Sequence, residues 1–328
     1  MGEKLKLSAT LFCYGTEYAR FQYDFEECVK QAALAGAEGY EIVGSQMIPG
    51  YPNVSDEFLG MIYRLKAAYG IGPTSYGANN DKGMRPDLNP TDDEMLADAI
   101  IDLKTANKLG VKIMRVQYMM SPEAFERLAP YAELYDVKCG IEIHNPETPG
   151  SPVMKKYLDV IKRTGSKHLG FVPDFGFLAV EPNKPQWKKA IEAGVKEEHL
   201  EFAAQLRREG KSQDEAAAAV MAAGATPAIM TALAGMWGFV QFHDRKDLPA
   251  LLKELEDILP YSVECHCKFH YLDDNLTEGS IPYKEIFALL KDYGYEGNLV
   301  CEYEDELYCG GTAYTRKMLA MEKELLRG

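Results

Sequence analysis

Short apolar segments typical of buried parallel strands alternate with helix-like segments along almost the whole chain. Strand-like segments are predicted at residues 6–12, 39–43, 71–76, 111–118, 137–144, 168–173, 262–269 and 298–302. Capping sequences open several of the helices between them, for example Thr91 followed by Glu94. Eight strands that are each followed by a helix predict the α/β class and a closed (β/α)8 TIM barrel. An open doubly wound sheet is the alternative, because periodicity does not report whether a sheet closes.

The chain is longer than such a barrel requires. It has 328 residues, whereas a barrel of this type typically takes about 250. The surplus falls after the sixth strand, so we expect a single domain over 1–328 with a helical insertion at about 180–247. Residues 216–240 of this insertion lack charged side chains, but they are mostly Ala, Gly and Thr and include Pro227. We therefore expect a helical lid or a partner-binding surface there rather than a membrane span.

An excess of acidic residues restricts the class of partner. Lys plus Arg number 36 and Asp plus Glu number 50, a net charge of −14, which disfavours nucleic acid and anionic membranes. Nucleotide-binding loops are not evident either. No Gly-x-Gly-x-x-Gly follows the first strand, and Gln205 occupies the first glycine position of a Walker A loop. Seven scattered cysteines and a charged start of the chain predict a reduced, cytoplasmic protein.

The fifth strand carries an acid and an imidazole on the same face. Glu142 and His144 are two residues apart, so strand alternation points both to one side, and Ile141 and Ile143 to the other. The carboxyl ends of the strands form the active-site face of a TIM barrel. We expect both polar side chains to bind something there, since their burial is otherwise costly. A mutually satisfied structural pair is the alternative.

The next three strands end in residues that can bind a metal ion. Asp174 follows the sixth strand, His266 lies on the seventh and Glu302 ends the eighth. Together with Glu142 they offer three carboxylates and one imidazole from four neighbouring strands. This donor set suits Mn2+, or Mg2+, better than structural zinc. Asp174 taken alone could instead cap a helix.

The triplet Cys265, His266 and Cys267 suggests zinc at first sight. Alternation, however, sends the two thiols to the face opposite the imidazole. A zinc site built from this segment would therefore have poor geometry.

Further polar residues near strand ends are candidate sugar contacts: Glu41, Arg115, Gln117 and Lys268. Arg115 could equally pair with a ring carboxylate. Tyr14 and Tyr76 are candidate aromatic walls, and Glu304 is expected on a solvated rim. Three histidines lack supporting spacing and are expected at the surface or in the core: His168, His199 and His243.

The metal-binding series on strands five to eight resembles the xylose isomerase-like barrel superfamily of sugar isomerases and epimerases over nearly the whole chain. The resemblance implies that four residues hold one divalent metal ion: Glu142, Asp174, His266 and Glu302. Two positions depart from the common epimerase pattern. Phe177 stands where many epimerases have a histidine, and Phe269 stands where a His-x-Lys-Asp sequence has its aspartate.

The Glu-x-His pair, the Ala-rich insertion and the overall length are more similar to the large subunit of bacterial C-glycoside deglycosidases. This resemblance implies a small β-sandwich partner subunit and a sugar conjugate as substrate. It also implies cleavage of the carbon–carbon bond between sugar and phenolic ring, after oxidation of the sugar 3-hydroxyl. The alternatives are a sugar isomerase or epimerase that uses the same metal site, and a catalytically silent sugar-binding subunit.

The chemistry of the expected metal site gives His144, which lies near Glu142, a role. A 3-keto sugar has an acidic proton at C2, and a metal ion on the ketone would stabilise the enediolate. We expect His144 to be the general base, because an imidazole pKa near ~6.5 suits proton abstraction at neutral pH. His144, Lys268 or a water can then protonate the departing aromatic carbon.

Overall fold

A computed structural model describes residues 5–79, 88–117, 120–304 and 310–327. The strands are β1 Lys6–Thr10, β2 Gly39–Val43, β3 Pro73–Ala78, β4 Ile113–Val116, β5 Lys138–Ile143, β6 Leu169–Pro173, β7 Glu264–Phe269 and β8 Asn298–Tyr303. The helices are α1 Gly15–Ala19, α2 Phe25–Ala35, α3 Gly44–Met47, α4 Asp56–Tyr69, α5 Asp92–Lys108, α6 Pro122–Tyr135, α7 Pro152–Thr164, α8 Lys184–Glu192, α9 Glu197–Arg208, α10 Gln213–Ala222, α11 Ile229–Met236, α12 Leu248–Ile258, α13 Tyr283–Tyr293 and α14 Gly311–Arg327.

The strands form one parallel sheet in the order β6-β5-β4-β3-β2-β1-β8-β7. Two isolated parallel bridges join its outer strands, Phe171 with Ser262 and Asp174 with His266. The backbone N–H of Val263 also donates to the carbonyl of Phe171 at 2.9 Å. The sheet therefore closes into a nearly complete barrel, which confirms the predicted (β/α)8 fold and makes the open sheet wrong.

Local signals explain most helix starts. Thr91 and Glu94 form a complete capping box at the start of α5, as Ser212 and Glu215 do at α10. The main boundary difference lies at β4, which begins at Ile113 rather than at 111. The N–H of Val111 instead donates to the carbonyl of Ala106 at 2.9 Å and closes the end of α5.

Helices α8 to α11 occupy the connection from β6 to α12. The uncharged residues 216–240 cover most of α10 and all of α11. Helix α11 packs against α8 and α9. Within the described residues, no helix is long and apolar enough to cross a membrane.

Strand alternation separates an apolar outer layer from a polar barrel interior. Cys139, Ile141 and Ile143 of β5 are buried in the core, as are Cys265 and Cys267 of β7. In the described part of the chain the cysteines are unpaired and buried, and none belongs to a group that could hold a metal ion. Burial further raises the pKa of the Cys265 thiol to about 12, so these thiols act as small apolar side chains.

One carboxyl lies in the core between the sheet and α14. Glu322 has no exposed surface, and neither oxygen has an N or O hydrogen-bond partner among the described residues. Burial raises the pKa of Glu322 to about 8, although the neighbouring Cys267 acts in the opposite sense. The folded chain therefore keeps this proton to a higher pH than the unfolded chain.

The Glu322 carboxyl should make stability fall as the pH rises. Between about pH 5 and about pH 8 the folded state holds a proton that the unfolded state has released, so this group destabilises by up to about 1.4 kcal/mol per pH unit. We expect Glu322→Gln to remove this slope in urea unfolding measured across that range. Glu324→Gln, at an exposed position of the same helix, is the control. An unchanged slope in the E322Q protein would contradict the assignment.

Candidate active site

Three of the four predicted metal ligands meet inside the barrel near the carboxyl ends of its strands. Nδ1 of His266 lies 3.2 Å from Oε1 of Glu142 and 3.1 Å from Oε2 of Glu302. The three residues offer ligand atoms that all lie within 4.8 Å of one another, and all three are buried. Carboxylate oxygens and an imidazole nitrogen are a donor set that divalent cations take. These residues therefore fit a divalent-metal site.

Glu41 determines which nitrogen of His266 faces that site. Oε2 of Glu41 lies 3.2 Å from Nε2 of His266, and Oε1 accepts a hydrogen bond from the Thr10 hydroxyl at 2.9 Å. Since an ionised carboxylate only accepts, Nε2 carries a proton and donates it to Glu41. Nδ1 can then present its lone pair to a cation. Glu41 is fully buried, where it supports the metal ligand in the way that second carboxylates do in many metal sites.

The charges of this region leave room for one divalent cation. Glu41, Glu142 and Glu302 bring three carboxylates and Arg115 brings one guanidinium, so 1 − 3 leaves −2 when all are ionised. Arg115 donates to Oε2 of Glu142 at 3.3 Å and lies 4.0 Å from Oε1 of Glu41. Burial alone would raise the pKa of Glu142, but Arg115 holds it well below its usual range. Burial and Glu41 raise the pKa of Glu264 to about 7, so this carboxyl titrates near neutral pH and is left out of the count.

Asp174 lies in a second group of charges beside the first. Its Oδ2 accepts from Nζ of Lys268 at 2.9 Å, and its Oδ1 accepts from the N–H of Gly176 at 2.7 Å. Lys268 also lies 2.8 Å from Oε2 of Glu304 and contacts Nε2 of His144. Asp174 therefore caps the turn after β6 and pairs with a buried lysine. Its backbone bridge to His266 keeps it next to the first group.

His144 lies where β5 ends, with both ring nitrogens engaged. Nδ1 contacts the carbonyl of Asn145 at 2.7 Å, so Nδ1 carries a proton and donates it. Burial and Lys268 lower the pKa of His144, but Glu304 and Asp174 outweigh them and raise it to about 9. The ammonium of Lys268 can only donate, so its contact with Nε2 requires this nitrogen to accept. With a pKa of about 9, the ring of His144 gives up its Nε2 proton and becomes the acceptor on the alkaline side of neutrality.

The remaining residues that the sequence suggested as sugar contacts or aromatic walls lie outside the two groups of charges. Gln117 is half-buried just after β4, and its two following residues lie outside the described chain. The expectation that Tyr14 and Tyr76 form aromatic walls is wrong, because both are fully buried. Tyr76 lies on the outer face of β3 and donates to Oδ1 of Asp102 at 2.8 Å. Of the remaining histidines, His168 pairs with Asp136 at 3.1 Å.

The sequence pattern missed two contributions to the site. Glu304 is not merely on a solvated rim, since it binds Lys268. Its two-residue spacing from Glu302 was the available signal. Phe239 packs against the His144 ring with centroids 5.7 Å apart, although it belongs to the insertion. No spacing in the sequence relates Phe239 to His144.

Comparison with known proteins identifies the family of the chain. Residues 29–325 match the family described as xylose isomerase-like TIM barrel. The chain belongs to this family. A solved structure of similar fold, the D-allulose 3-epimerase of Methylomonas sp., has a TM-score of 0.58, 15% identity and coverage of 99% of both chains. An L-ribulose 3-epimerase has a TM-score of 0.59, 14% identity and coverage of 98% and 95%.

Two curated relatives of this xylose isomerase-like chain are named as subunits of enzymes. The 3'-dehydrocarminate deglycosidase alpha subunit of Microbacterium sp. is 29% identical over 98% of this chain and 94% of its own length. The C-glycoside deglycosidase alpha subunit of Arthrobacter globiformis is 29% identical over 94% of this chain and 87% of its own. The chain is therefore a xylose isomerase-like TIM barrel, and these two relatives are named as alpha subunits of deglycosidases.

The role of Glu41 can be tested through metal affinity. We expect Glu41→Gln to weaken Mn2+ binding by about tenfold, because Gln orients His266 but makes Nδ1 less basic. Glu302→Gln should weaken it further. Isothermal titration of the metal-free protein measures both. Glu304→Gln, which removes a carboxylate outside the three-residue group, should bind Mn2+ nearly as wild type does. Wild-type affinity in the E41Q protein would refute this role.

Proposed function

We propose that the chain is the catalytic subunit of a C-glycoside deglycosidase that cleaves the carbon–carbon bond of 3-keto C-glucosides with flavonoid or other aromatic aglycones. The observation that carries the proposal is the three-residue group of Glu142, His266 and Glu302, with the imidazole of His144 3.8 Å from Asp174, whose backbone is bridged to His266. The similarity to two alpha subunits over nearly the full length of the chain supports it.

The proposed ligands are Glu142, His266 and Glu302, with Asp174 as a fourth. Mn2+ is the proposed ion, with Mg2+ second, since one imidazole joins the oxygens. Bound there, it would polarise the ketone of the sugar and offset the negative charge that develops on its oxygen. Asp174 can join this set only by giving up part of its contact with Lys268.

His144 is the proposed base. Its Nδ1 is fixed on the carbonyl of Asn145, so Nε2 is the atom that takes the proton from C2 of the sugar. The electron pair of that C–H bond moves toward the ketone. When this electron pair moves back from the ketone, a C1–C2 double bond forms and the C1–aryl bond breaks.

The aromatic carbon takes up a proton as it leaves. His144 can return the proton it accepted, and Lys268 and water are the other available donors. The products are a 1,5-anhydro enone sugar and the free aglycone, so no oxidant or reductant is consumed in this step. The keto group must already be present in the substrate.

The proposed assembly contains a small β-sandwich subunit. The relatives are named as alpha subunits, which supports a second kind of subunit in the assembly. The net charge of −14 argues against nucleic acid as a partner. We further propose a cytoplasmic location, in which buried cysteines without disulfides are the norm.

An activity assay tests the proposal directly. The chain, with and without a co-expressed small subunit, is incubated with Mn2+ and a 3-keto flavone C-glucoside, and both aglycone and sugar are analysed by chromatography. Released aglycone supports the proposal. Epimerised sugar without aglycone would favour an epimerase, and inert protein without metal would favour a sugar-binding subunit.

His144→Gln should lower aglycone release by about 100-fold or more, because it removes the base. Metal content should remain, since His144 does not belong to the three-residue group. His168→Gln, at a histidine paired with Asp136 elsewhere, is the matched control. Full turnover by the H144Q protein would exclude His144 as the base.

Substitutions at Lys268 and at Glu304 should shift the pH profile of kcat/KM in opposite directions. Lys268 lowers the pKa of His144, whereas Glu304 raises it. A base is active only above its pKa, so Lys268→Met should move the acidic limb of kcat/KM to higher pH, and Glu304→Gln should move it to lower pH. Shifts in the same direction would argue against His144 as the titrating base.

A further inference from the structure

The last segment of the insertion is fastened to the loop that carries His144. The side chain of Gln241 donates to the carbonyl of Pro146 at 2.7 Å, and its Oε1 accepts from Arg207 at 2.8 Å. Nδ2 of Asn145 donates to the carbonyl of Phe239 at 3.3 Å. These hydrogen bonds hold the backbone around Phe239 in a set position relative to the proposed base.

The side chain of Phe239 is held at the surface of this segment. It is 67% exposed, while Phe242, three residues later, is 1% exposed. A phenylalanine stabilises a fold mainly through burial, so the packing of the chain does not account for this one. Its ring lies 5.7 Å from that of His144, at an interplanar angle of 70°. The exposed part of the ring thus borders the site.

The chemistry of the surroundings suits an apolar aromatic ligand. Phe239 lies within residues 216–240, which carry no charged side chain in a protein of net charge −14. The side-chain amides of Asn145 and Gln241 are engaged with backbone carbonyls, those of Phe239 and Pro146 respectively. A planar ring could approach Phe239 without facing a carboxylate of this segment.

We propose that Phe239 determines specificity by binding the aromatic ring of the aglycone. This inference rests on the proposed function, in which Nε2 of His144 acts at C2 of the sugar. The aromatic ring is bonded to C1, the next carbon, and must therefore lie beside His144. Aromatic pairs prefer offset-stacked or edge-to-face packing, and Phe239 offers such a surface at that place.

The test compares Phe239→Ala with Phe239→Trp in the full chain, loaded with Mn2+ and purified with its small subunit. One readout is KM for a 3-keto flavone C-glucoside, and the other is the Kd of the free flavone luteolin by titration calorimetry. We expect Phe239→Ala to raise both by about tenfold, with a smaller change in kcat, and Phe239→Trp to retain binding. Leu134→Ala, at a 72% exposed position near the end of α6, should change neither.

The two readouts separate this inference from the proposed reaction. If wild type binds luteolin and the F239A protein does not, but neither releases aglycone, the reaction is wrong and the role of Phe239 stands. Unchanged KM and Kd in the F239A protein overturn the inference, as does wild type that does not bind luteolin. Loss of the small subunit from the F239A protein with unchanged luteolin binding also overturns it, because Phe239 would then contact the partner.

Discussion

The barrel interior depends on the imidazole of His266, which faces carboxylates on both sides. Nε2 faces Glu41 from β2, and Nδ1 faces Glu142 from β5 and Glu302 from β8. Without a cation both nitrogens hold protons, since Glu302 and Glu41 outweigh burial and raise the pKa of His266 well above its usual range. A cation bound to Nδ1 would take the place of that proton. One side chain can thus stabilise the same carboxylates in either state.

The second group of charges depends on the first for its place. Lys268 follows His266 by two residues on β7, so alternation directs both side chains into the barrel. Burial disfavours the charge of Lys268, but Asp174 and Glu304 outweigh burial and raise its pKa. A buried lysine paired in this way holds His144 by a hydrogen bond and at the same time binds Asp174, the proposed fourth ligand. In the proposed reaction the first group would hold the cation and the second would move the proton.

Strand alternation is the reason that so much could be predicted from the sequence. Glu142, His266 and Glu302 each lie on a strand whose outward neighbours are apolar, and barrel closure then brings them together. Asp174 lies after its strand has ended, where a turn rather than alternation sets its direction, and it pairs with Lys268. The prediction of Tyr76 as an aromatic wall of the site is wrong because a large aromatic residue fits the outer layer of a barrel as well as a cavity wall. Phe239 needs contacts across 95 residues, from 144 to 239, that no local pattern encodes.

The insertion lies in the connection between β6 and β7, the two strands whose pairing closes the barrel. The β6 and β7 strands share two isolated bridges rather than a continuous ladder, and glycine permits their close approach. A methyl group at Gly170 would lie 2.3 Å from the carbonyl oxygen of Tyr261. Helices α8 to α11 lie in the connection between these two strands. Asp174 and His144 lie at the mouth of the seam between β6 and β7, so a segment returning across it passes beside the proposed base, where it can contribute Phe239.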